Sequence, residues 1–255
     1  MDRLVFTSYS AINEKAVERQ VLVNELANVS TTGFKSSYDV ALRSIRAESN
    51  GSFDTRIQAQ AVSRDIIRLE PGAVMATGRP LDVALADKAV LMVQAANGER
   101  AFTRRGDLKV SPQGQLETGN GHLVMGQGGP ITIPPGVNVS INADGSVYAQ
   151  DPAQPGNVPP VLIDQMAMRD ASEIQLLRRA DGLYQVADKA PGSDFTSGPN
   201  LPTLIPKALE GSNVNAMELM IKLMDQSRSF EQQVRIIKES KTGDEVGASM
   251  LKAGS

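Results

Sequence analysis

The chain has 255 residues, of which 41% are hydrophobic and 22% charged, and its formal net charge at pH 7 is −3. This length suits one or two globular domains, and the weak negative charge lacks the clustered Lys and Arg of a nucleic-acid-binding surface. Cysteine is absent, which excludes disulfides, thiolate metal sites and a cysteine nucleophile. No 18-residue apolar run is present, so we expect no membrane-spanning helix. Residues 1–8 turn polar too early for the apolar core of a signal peptide, so we expect no cleaved signal peptide.

An apolar stripe with alternating four- and three-residue spacing runs along residues 5–26. This spacing is typical of a helix that packs on another helix. The positions of the stripe are Val5, Tyr9, Ile12, Ala16, Arg19, Val23 and Leu26. Helix propensity fails after about Asn28, where β-branched and hydroxylated residues lead to Gly33. We expect Gly33 to adopt a positive φ angle.

A second stripe with the same spacing runs along residues 216–237. Its positions are Ala216, Met220, Leu223, Ser227, Phe230, Val234 and Ile237, and Met217, Ile221 and Met224 widen it. Asn215 and Glu218 have capping-box spacing, which predicts the helix start, and Gly243 suits its end. Each helix would be about 35–40 Å long at 1.5 Å per residue, so the two would be equal in length. Periodicity alone fits two arrangements equally well: the helices pack on each other within one chain, or they pack on neighbouring copies.

Between about residues 72 and 205 the periodicity changes, and short apolar runs alternate with turn dipeptides. Asn97-Gly98, Asn120-Gly121, Asp144-Gly145 and Asp181-Gly182 are hairpin signals because these pairs tolerate positive φ. Candidate strands are Ala89–Ala95, Ala101–Arg104, Leu108–Val110, Leu123–Met125, Val137–Asn142, Val147–Ala149, Val161–Met168 and Leu183–Val186. This pattern predicts an antiparallel β domain.

The sequence therefore predicts an α+β fold, in which N- and C-terminal helices form a coiled-coil-like pair that flanks a mostly antiparallel β domain. We divide the chain into an N-terminal helix (1–35), an extended connector (36–71), the β domain (72–205) and a C-terminal helix (206–255). Residues 190–206, which are rich in proline, form the return connector at the end of the β domain.

No group of residues indicates a chemical site more strongly than an ordinary structural role. His122 is the single histidine and follows a predicted turn, and without Cys or a second His the common zinc sites cannot be built. Residues 126–130, Gly-Gln-Gly-Gly-Pro, lack the Lys-Ser/Thr of a phosphate loop and predict a turn. The aspartates Asp144, Asp151, Asp164, Asp170 and Asp181 could pair as glycosidase carboxylates, but aspartates beside glycines and prolines are ordinary turn residues. We predict no catalytic, cofactor-binding or metal-binding residue; a soluble carbohydrate-binding or carbohydrate-active module is the alternative from a different class.

Three stretches resemble the bacterial flagellar rod and hook proteins. Leu26–Lys35 resembles the N-terminal signature A-N-N-x-A-N-x-x-T-x-G-F/Y-K, although Val23-Asn24-Glu25 stands where Ala-Asn-Asn is usual. Residues 77–85 together with 102–106 are similar to the entry into the β domain of that family. Residues 209–214, Leu-Glu-Gly-Ser-Asn-Val, resemble the segment that opens its C-terminal helix. The matches span nearly the whole chain in the family's order.

The resemblance implies a structural subunit of the basal-body rod, most like the proximal rod branch of the family, with the distal rod branch as the alternative. It implies export without a cleaved signal peptide and assembly in the periplasm. The implied partners are other rod subunits, further copies of the chain and the flagellar export apparatus, with no nucleic acid and no small-molecule substrate. We expect the terminal helices to become ordered on assembly. The expected assembly interface comprises Val5, Ile12, Val23, Leu26, Asn28, Met220, Leu223, Met224, Phe230, Val234 and Ile237.

Overall fold

The computed structural model of the chain describes residues 2–38, 41–47, 56–62, 65–152 and 159–253. The chain divides into two compact units. The helical unit comprises Met1–Ala27, Asp39–Arg64 and Asn215–Ser255, and the β unit comprises Asn28–Tyr38 and Asp65–Val214. No helix in the described ranges combines the length and the hydropathy needed to cross a bilayer.

The described residues form two helices and nineteen short strands, which makes the fold α+β and mostly β. The helices are α1 (Asp2–Ala27) and α2 (Ala216–Ala253). The strands are β1 (Ser37–Tyr38), β2 (Ala41–Ala47), β3 (Arg56–Val62), β4 (Ile66–Ile67), β5 (Val74–Ala76), β6 (Val83–Leu85), β7 (Ala89–Gln94), β8 (Arg100–Thr103), β9 (Leu108–Val110), β10 (Leu116–Thr118), β11 (Leu123–Val124), β12 (Asn138–Ile141), β13 (Ser146–Gln150), β14 (Val161–Gln165), β15 (Met168–Asp170), β16 (Leu176–Arg178), β17 (Tyr184–Val186), β18 (Leu204–Pro206) and β19 (Ala208–Glu210).

The end of α1 and the start of α2 follow the sequence prediction, whereas the end of α2 does not. Helix α1 ends at Ala27, just before Asn28. Helix α2 begins after Asn215, whose side-chain oxygen accepts hydrogen bonds from the backbone N–H groups of Met217 (3.1 Å) and Glu218 (3.4 Å). The predicted stop at Gly243 is wrong, because α2 continues to Ala253. A single glycine costs a helix only about 1 kcal/mol relative to alanine.

The two helices are consequently unequal in length, contrary to the expectation. At 1.5 Å per residue, α1 with 26 residues spans about 39 Å and α2 with 38 residues about 57 Å. The segment expected to be an extended connector also contains paired strands, since β2 and β3 form an antiparallel ladder from Ala41↔Val62 to Ala47↔Arg56. Residues 56–61 alternate polar and apolar, which is the period of a β-strand.

Strand β7 is the centre of the β unit. In the main antiparallel sheet it pairs with β8, β11 and β15. Its alternate side chains enter two separate clusters: Leu91 and Val93 lie in one, Val90 and Met92 in the other. Because successive side chains of a strand point to opposite faces, the unbroken apolar run of β7 is explained by burial on both faces.

The four predicted dipeptide turns are present and share one construction. The glycines Gly98, Gly121, Gly145 and Gly182 all have φ between 80° and 86°, and each backbone N–H bonds the carbonyl three residues earlier. The preceding Asn or Asp remains at negative φ, so these are three-residue loops and not two-residue type I′ turns. At Asn97, Asp144 and Asp181 the side-chain oxygen accepts the N–H two residues ahead, which accounts for the residue type.

The predicted strand Val161–Met168 is divided in two. Strand β14 pairs with β13, and after Gln165 the chain leaves this small sheet, so that β15 pairs with β7 of the main sheet. Apolar residues continue across the break because both partners bury them. The predicted return connector likewise ends in strand β18, which pairs with β6.

Gly33 has φ of 67°, as expected, and its close packing against Arg104 predicts the effect of substituting it. A Cβ added at Gly33 would overlap the backbone carbonyl of Arg104, whereas one added at Gly182, with φ of 80°, would meet nothing. We expect Gly182→Ala to cost about 1 kcal/mol of unfolding free energy from backbone strain alone. Gly33→Ala should cost at least about twice as much, because strain and overlap combine. Urea denaturation of both variants measures the difference, and equal losses would contradict the close approach at Gly33.

Candidate assembly surface and its buried anchor

The three segments that carry the family resemblance meet at one buried ion cluster in the β unit. Lys35 comes from the end of the N-terminal signature, Arg104 follows β8, and Glu210 ends β19. All three side chains are at most 1% exposed to solvent. Glu210 is separated from Lys35 by 175 residues and from Arg104 by 106, so the cluster joins distant parts of the chain.

Arg104 makes a two-pronged contact with Glu210. Its Nε donates to Oε2 at 2.8 Å, and its Nη2 donates to Oε1 at 2.8 Å. The remaining guanidinium N–H groups bond the backbone carbonyls of Leu85 (2.8 Å), Asp87 and Ala89 (2.7 Å each). A planar guanidinium with five donors suits such a buried site, and it ties Glu210 to both ends of the turn that precedes β7.

Lys35 is the second cation of the cluster. Its Nζ donates to Oε1 of Glu210 at 2.6 Å and to the carbonyl of Glu70 at 2.8 Å. Burial, together with the nearby positive charge of Arg104, lowers the pKa of Lys35 from its usual 10.5 to about 8, although Glu210 opposes the shift. The backbone N–H of Gly72 adds a further bond to Glu210 at 3.0 Å.

The signature loop after α1 is held by the same part of the β unit. The N–H of Gly33 bonds the carbonyl of Glu210 at 2.7 Å, and the hydroxyl of Tyr184 donates to the carbonyl of Gly33 at 3.2 Å. Burial raises the pKa of this tyrosine. The guanidinium of Arg178 lies 4.3 Å from the ring centre of Phe34, a cation–π contact. The sequence marks all three segments as motifs, but Lys35, Arg104 and Glu210 were not predicted to meet. The only local signal for the cluster is that each motif contains a charged residue.

The more buried face of α2 coincides only in part with the predicted stripe. Leu219 and Gln226 are buried, and Ala216, Leu223, Ser229, Gln233, Val234 and Ile237 are partly buried. Four predicted positions (Ala216, Leu223, Val234 and Ile237) lie in this set, whereas Met220, Ser227 and Phe230 are exposed. Within the helical unit the amide nitrogen of Gln226 donates to the carbonyl of Lys15 on α1 at 2.9 Å. Among the described residues, the side-chain oxygens of Gln226 and Gln233 have no hydrogen-bond partner.

Four apolar residues in the first turns of α2 form an exposed surface that we call the outer quartet. They are Met217 (69% exposed), Met220 (48%), Ile221 (59%) and Met224 (59%). At 100° per residue the quartet lies nearly opposite the face that contains Leu219 and Gln226. Large apolar side chains grouped in this way on a surface mark an interaction site.

The structure places the predicted assembly residues in different environments. Val23, Met220, Met224 and Phe230 are exposed, whereas Leu26, Asn28, Leu223, Val234 and Ile237 are partly buried. Val5 and Ile12 belong to α1, but their side chains lie outside the described residues. On α1, Glu25 is buried and Val23 is exposed, while Leu26 is partly buried, so the apolar stripe of this helix coincides only in part with its buried face.

Two of the aspartates that could suggest a glycosidase accept backbone N–H groups of turns and loops. Asp144 accepts the N–H of Ser146 at 3.0 Å, and this bond lowers its pKa. Asp170 accepts the hydroxyl of Ser172 at 2.9 Å and the N–H groups of Ser172 and Asn200 at 3.0 Å each; burial raises its pKa, but these bonds outweigh that effect and lower it. Residues 126–130 form the predicted turn, in which the N–H of Gly126 bonds the carbonyl of Gly129 at 2.7 Å.

Two family models match the chain. The model described as "Flagellar hook protein FlgE/F/G D1 domain" matches residues 84–149, and the one described as "Flagellar basal body rod FlgEFG protein C-terminal" matches residues 205–250. The flagellar basal-body rod protein FlgF of Salmonella typhimurium (strain LT2) is 36% identical over 242 residues, which cover 93% of both chains. The chain belongs to the family of flagellar basal-body rod proteins.

Two further relatives position the chain within the rod protein family. FlgF of Escherichia coli (strain K12) is 38% identical over 243 residues, or 93% of both chains. FlgG of Caulobacter vibrioides is 29% identical over 249 residues, or 91% of this chain and 92% of the relative. The family consists of structural proteins and not of enzymes, which agrees with the structural hydrogen bonds of Asp144 and Asp170.

Removing the charge of Glu210 tests the buried cluster. Glu210→Gln leaves two buried cations without a carboxylate, so we expect a loss of about 3–5 kcal/mol in the free energy of unfolding. The matched control is Glu117→Gln, which removes a pair with the half-exposed Lys109 (3.1 Å) and should cost at most about 1 kcal/mol. Guanidinium denaturation of the full chain measures both, and similar losses would show that the cluster is not a stabilising constraint.

The lowered pKa of Lys35 predicts a specific pH dependence. Between about pH 8 and pH 10.5 the unfolded chain retains the lysine proton while the folded chain releases it. The unfolding free energy must therefore rise with pH in this window, by up to about 1.4 kcal/mol per unit. Relative to Lys35→Met, which lacks the group, the wild-type chain should gain stability between pH 7.5 and pH 9.5 in urea titrations. A constant difference between the two proteins would contradict the shift.

Proposed function

We propose that the chain is a structural subunit of the bacterial flagellar basal-body rod, of the FlgF type, and that it assembles through its terminal helices. The outer quartet carries this proposal. Four large apolar side chains stand exposed on one side of α2, although the helix already contacts α1 through another face. A subunit that remained alone would gain nothing from this arrangement.

The distribution of polar and apolar residues on α2 supports an intermolecular role for the quartet. The face near α1 contains Gln226 and Gln233, whose side-chain oxygens lack partners in the described structure. Fully burying a Met or Ile side chain contributes about 1.5–3 kcal/mol. The outer quartet would therefore contribute more hydrophobic free energy in contacts with another molecule than it does within the chain. Methionine also adapts its shape to different partner surfaces.

A contact of this kind explains how a rod grows. The outer quartet of one copy packs on a different surface of its neighbour, and such a heterologous contact that does not close into a ring generates a helical filament. In the assembled rod α1 and α2 pair along a coiled-coil-like seam, and neighbouring rod proteins and further copies of this chain cover the remaining apolar residues. The rod lies in the periplasm, which the chain reaches through the flagellar export apparatus.

We place the subunit in the proximal rod. The higher identity to FlgF of Salmonella typhimurium and Escherichia coli than to FlgG of Caulobacter vibrioides supports this placement. A cryo-EM map of isolated basal bodies, with this subunit located along the axis, tests it directly. Density for the chain in the distal segment would reassign it to the FlgG position.

A charge in the outer quartet should block assembly without unfolding the subunit. Met224→Asp places a carboxylate where a neighbour would bury the side chain, and a buried charge without a partner is strongly unfavourable. We expect a strain that carries only this variant to lose swarming motility and to yield no complete rods. The thermal unfolding of the purified variant should remain unchanged, because Met224 is 59% exposed.

The matched control for this experiment is Gln232→Asp, which introduces the same charge at an exposed polar position of α2. This variant should remain motile. If the Met224→Asp strain builds normal rods and swims, the quartet is not an assembly contact.

A further inference from the structure

The chain passes between its two units four times, and the β-unit ends of these passages share one hydrogen-bond network. The passages follow Ala27, Tyr38, Arg64 and Val214. The second and third are joined directly in the β unit, since Ser37 pairs with Ile67 in an antiparallel bridge. The segment that leaves the β unit after Tyr38 and the segment that returns to it after Arg64 therefore lie side by side in the β unit.

Asn213 joins the fourth passage to both of these. Its side-chain oxygen accepts the N–H of Ser36 at 2.7 Å. Its side-chain nitrogen donates to the carbonyls of Arg68 (3.0 Å) and Glu70 (3.3 Å), and its own N–H bonds the carbonyl of Phe34 at 3.4 Å. One amide side chain thus uses both its donor and its acceptor to connect three segments that are remote in sequence.

The first passage is tied to the others through a short turn. The N–H of Thr31 bonds the carbonyl of Asn28 at 3.0 Å, and the N–H of Phe34 bonds that of Thr31 at 3.2 Å. The side chains of Asn28 and Thr31 also bond each other at 3.2 Å. The turn leads without interruption into Ser36, which Asn213 holds.

We propose that Asn213 is a positioning residue that fixes the β-unit ends of all four passages as one group, so that the segments leading to α1, to the β2–β3 hairpin and to α2 cannot move independently. The buried Glu210 cluster supplies the stability of this region, and Asn213, which is only partly buried, supplies its geometry. Alanine at this position removes three side-chain bonds but no buried charge. The β core should therefore remain folded while the passages loosen.

Hydrogen exchange measured by mass spectrometry on the purified full chain tests the proposal. In Asn213→Ala, peptides covering residues 33–38 and 65–70 should exchange faster by roughly tenfold, as expected when bonds of ordinary strength are lost. A peptide covering β7 should exchange as in the wild type. Asn213→Asp should accelerate exchange in the 65–70 peptide, because its carboxylate cannot donate to the carbonyls of Arg68 and Glu70. It keeps the acceptor for the N–H of Ser36, so the 33–38 peptide should be affected less than in Asn213→Ala. Asn97→Ala, which removes a turn bond to Glu99, should leave both passage peptides unchanged.

Two outcomes overturn the proposal. Unchanged exchange in both passage peptides would show that Asn213 does not hold them, and equal acceleration in β7 would show that it acts only on overall stability. Motility provides a second measure, which depends on the proposed rod function: a strain with Asn213→Ala should assemble fewer rods although its β core is intact. Faster exchange at the passages combined with normal motility would overturn the link to assembly while leaving the positioning role of Asn213 intact. An error in the proposed rod function would instead appear as normal rods and normal swimming in the Met224→Asp strain.

Discussion

The β unit is organised around one buried carboxylate. Glu210 is 1% exposed, and a carboxylate cannot be held in a protein interior unless cations and N–H groups surround it. Arg104, Lys35 and the amide of Gly72 meet this requirement. Lys35 and Gly72 come from the first part of the β unit, Arg104 from its middle and Glu210 from its last strand. The carboxylate is therefore satisfied only when strand β19, the signature loop and the turn before β7 have all reached their final positions. The ion cluster thus specifies a tertiary arrangement that hydrophobic burial alone would leave less defined.

The hydrophobic core around β7 holds the backbone groups that bind Arg104 of this cluster. Strand β7 is covered on both faces, and the turn at its beginning presents the carbonyls of Asp87 and Ala89 to Arg104. The second apolar cluster contains Tyr184, whose hydroxyl reaches back to the signature loop. The central strand, the buried charges and the loop after α1 therefore depend on each other, and a change in one is transmitted through short contacts to the rest.

Features that depend on neighbouring residues could be predicted from the sequence, whereas those that depend on distant partners could not. The end of α1, the cap at Asn215 and the positive φ of Gly33 follow from local chemistry and are confirmed. The predicted end of α2 at Gly243 was wrong, because a single glycine is too weak a signal to end a helix whose other residues favour the helical conformation. The face of α2 that becomes buried was predicted only in part, because Leu219, Gln226 and Gln233 were not among the predicted positions. Spacing shows that a helix has an apolar stripe, but it does not show whether that stripe meets the same chain or another one.

The same distinction applies to the ion cluster and to the divided strand. Lys35 and Glu210 stand out as charged residues within otherwise uncharged motifs, yet nothing local indicates that they touch. Val161–Met168 has one continuous apolar pattern, and only the tertiary fold determines that its first part pairs with β13 and its last part with β7.

The bond between Gly33 and Glu210 has a consequence for how such a chain can change. It places the first residues of the β unit beside the last ones. The chain therefore enters the β unit after α1 and leaves it before α2 at neighbouring points. A domain whose ends are adjacent can be enlarged, trimmed or exchanged without altering the segments on either side. The helices and the β unit can therefore evolve at different rates and under different demands, provided that the small region around Glu210 is kept.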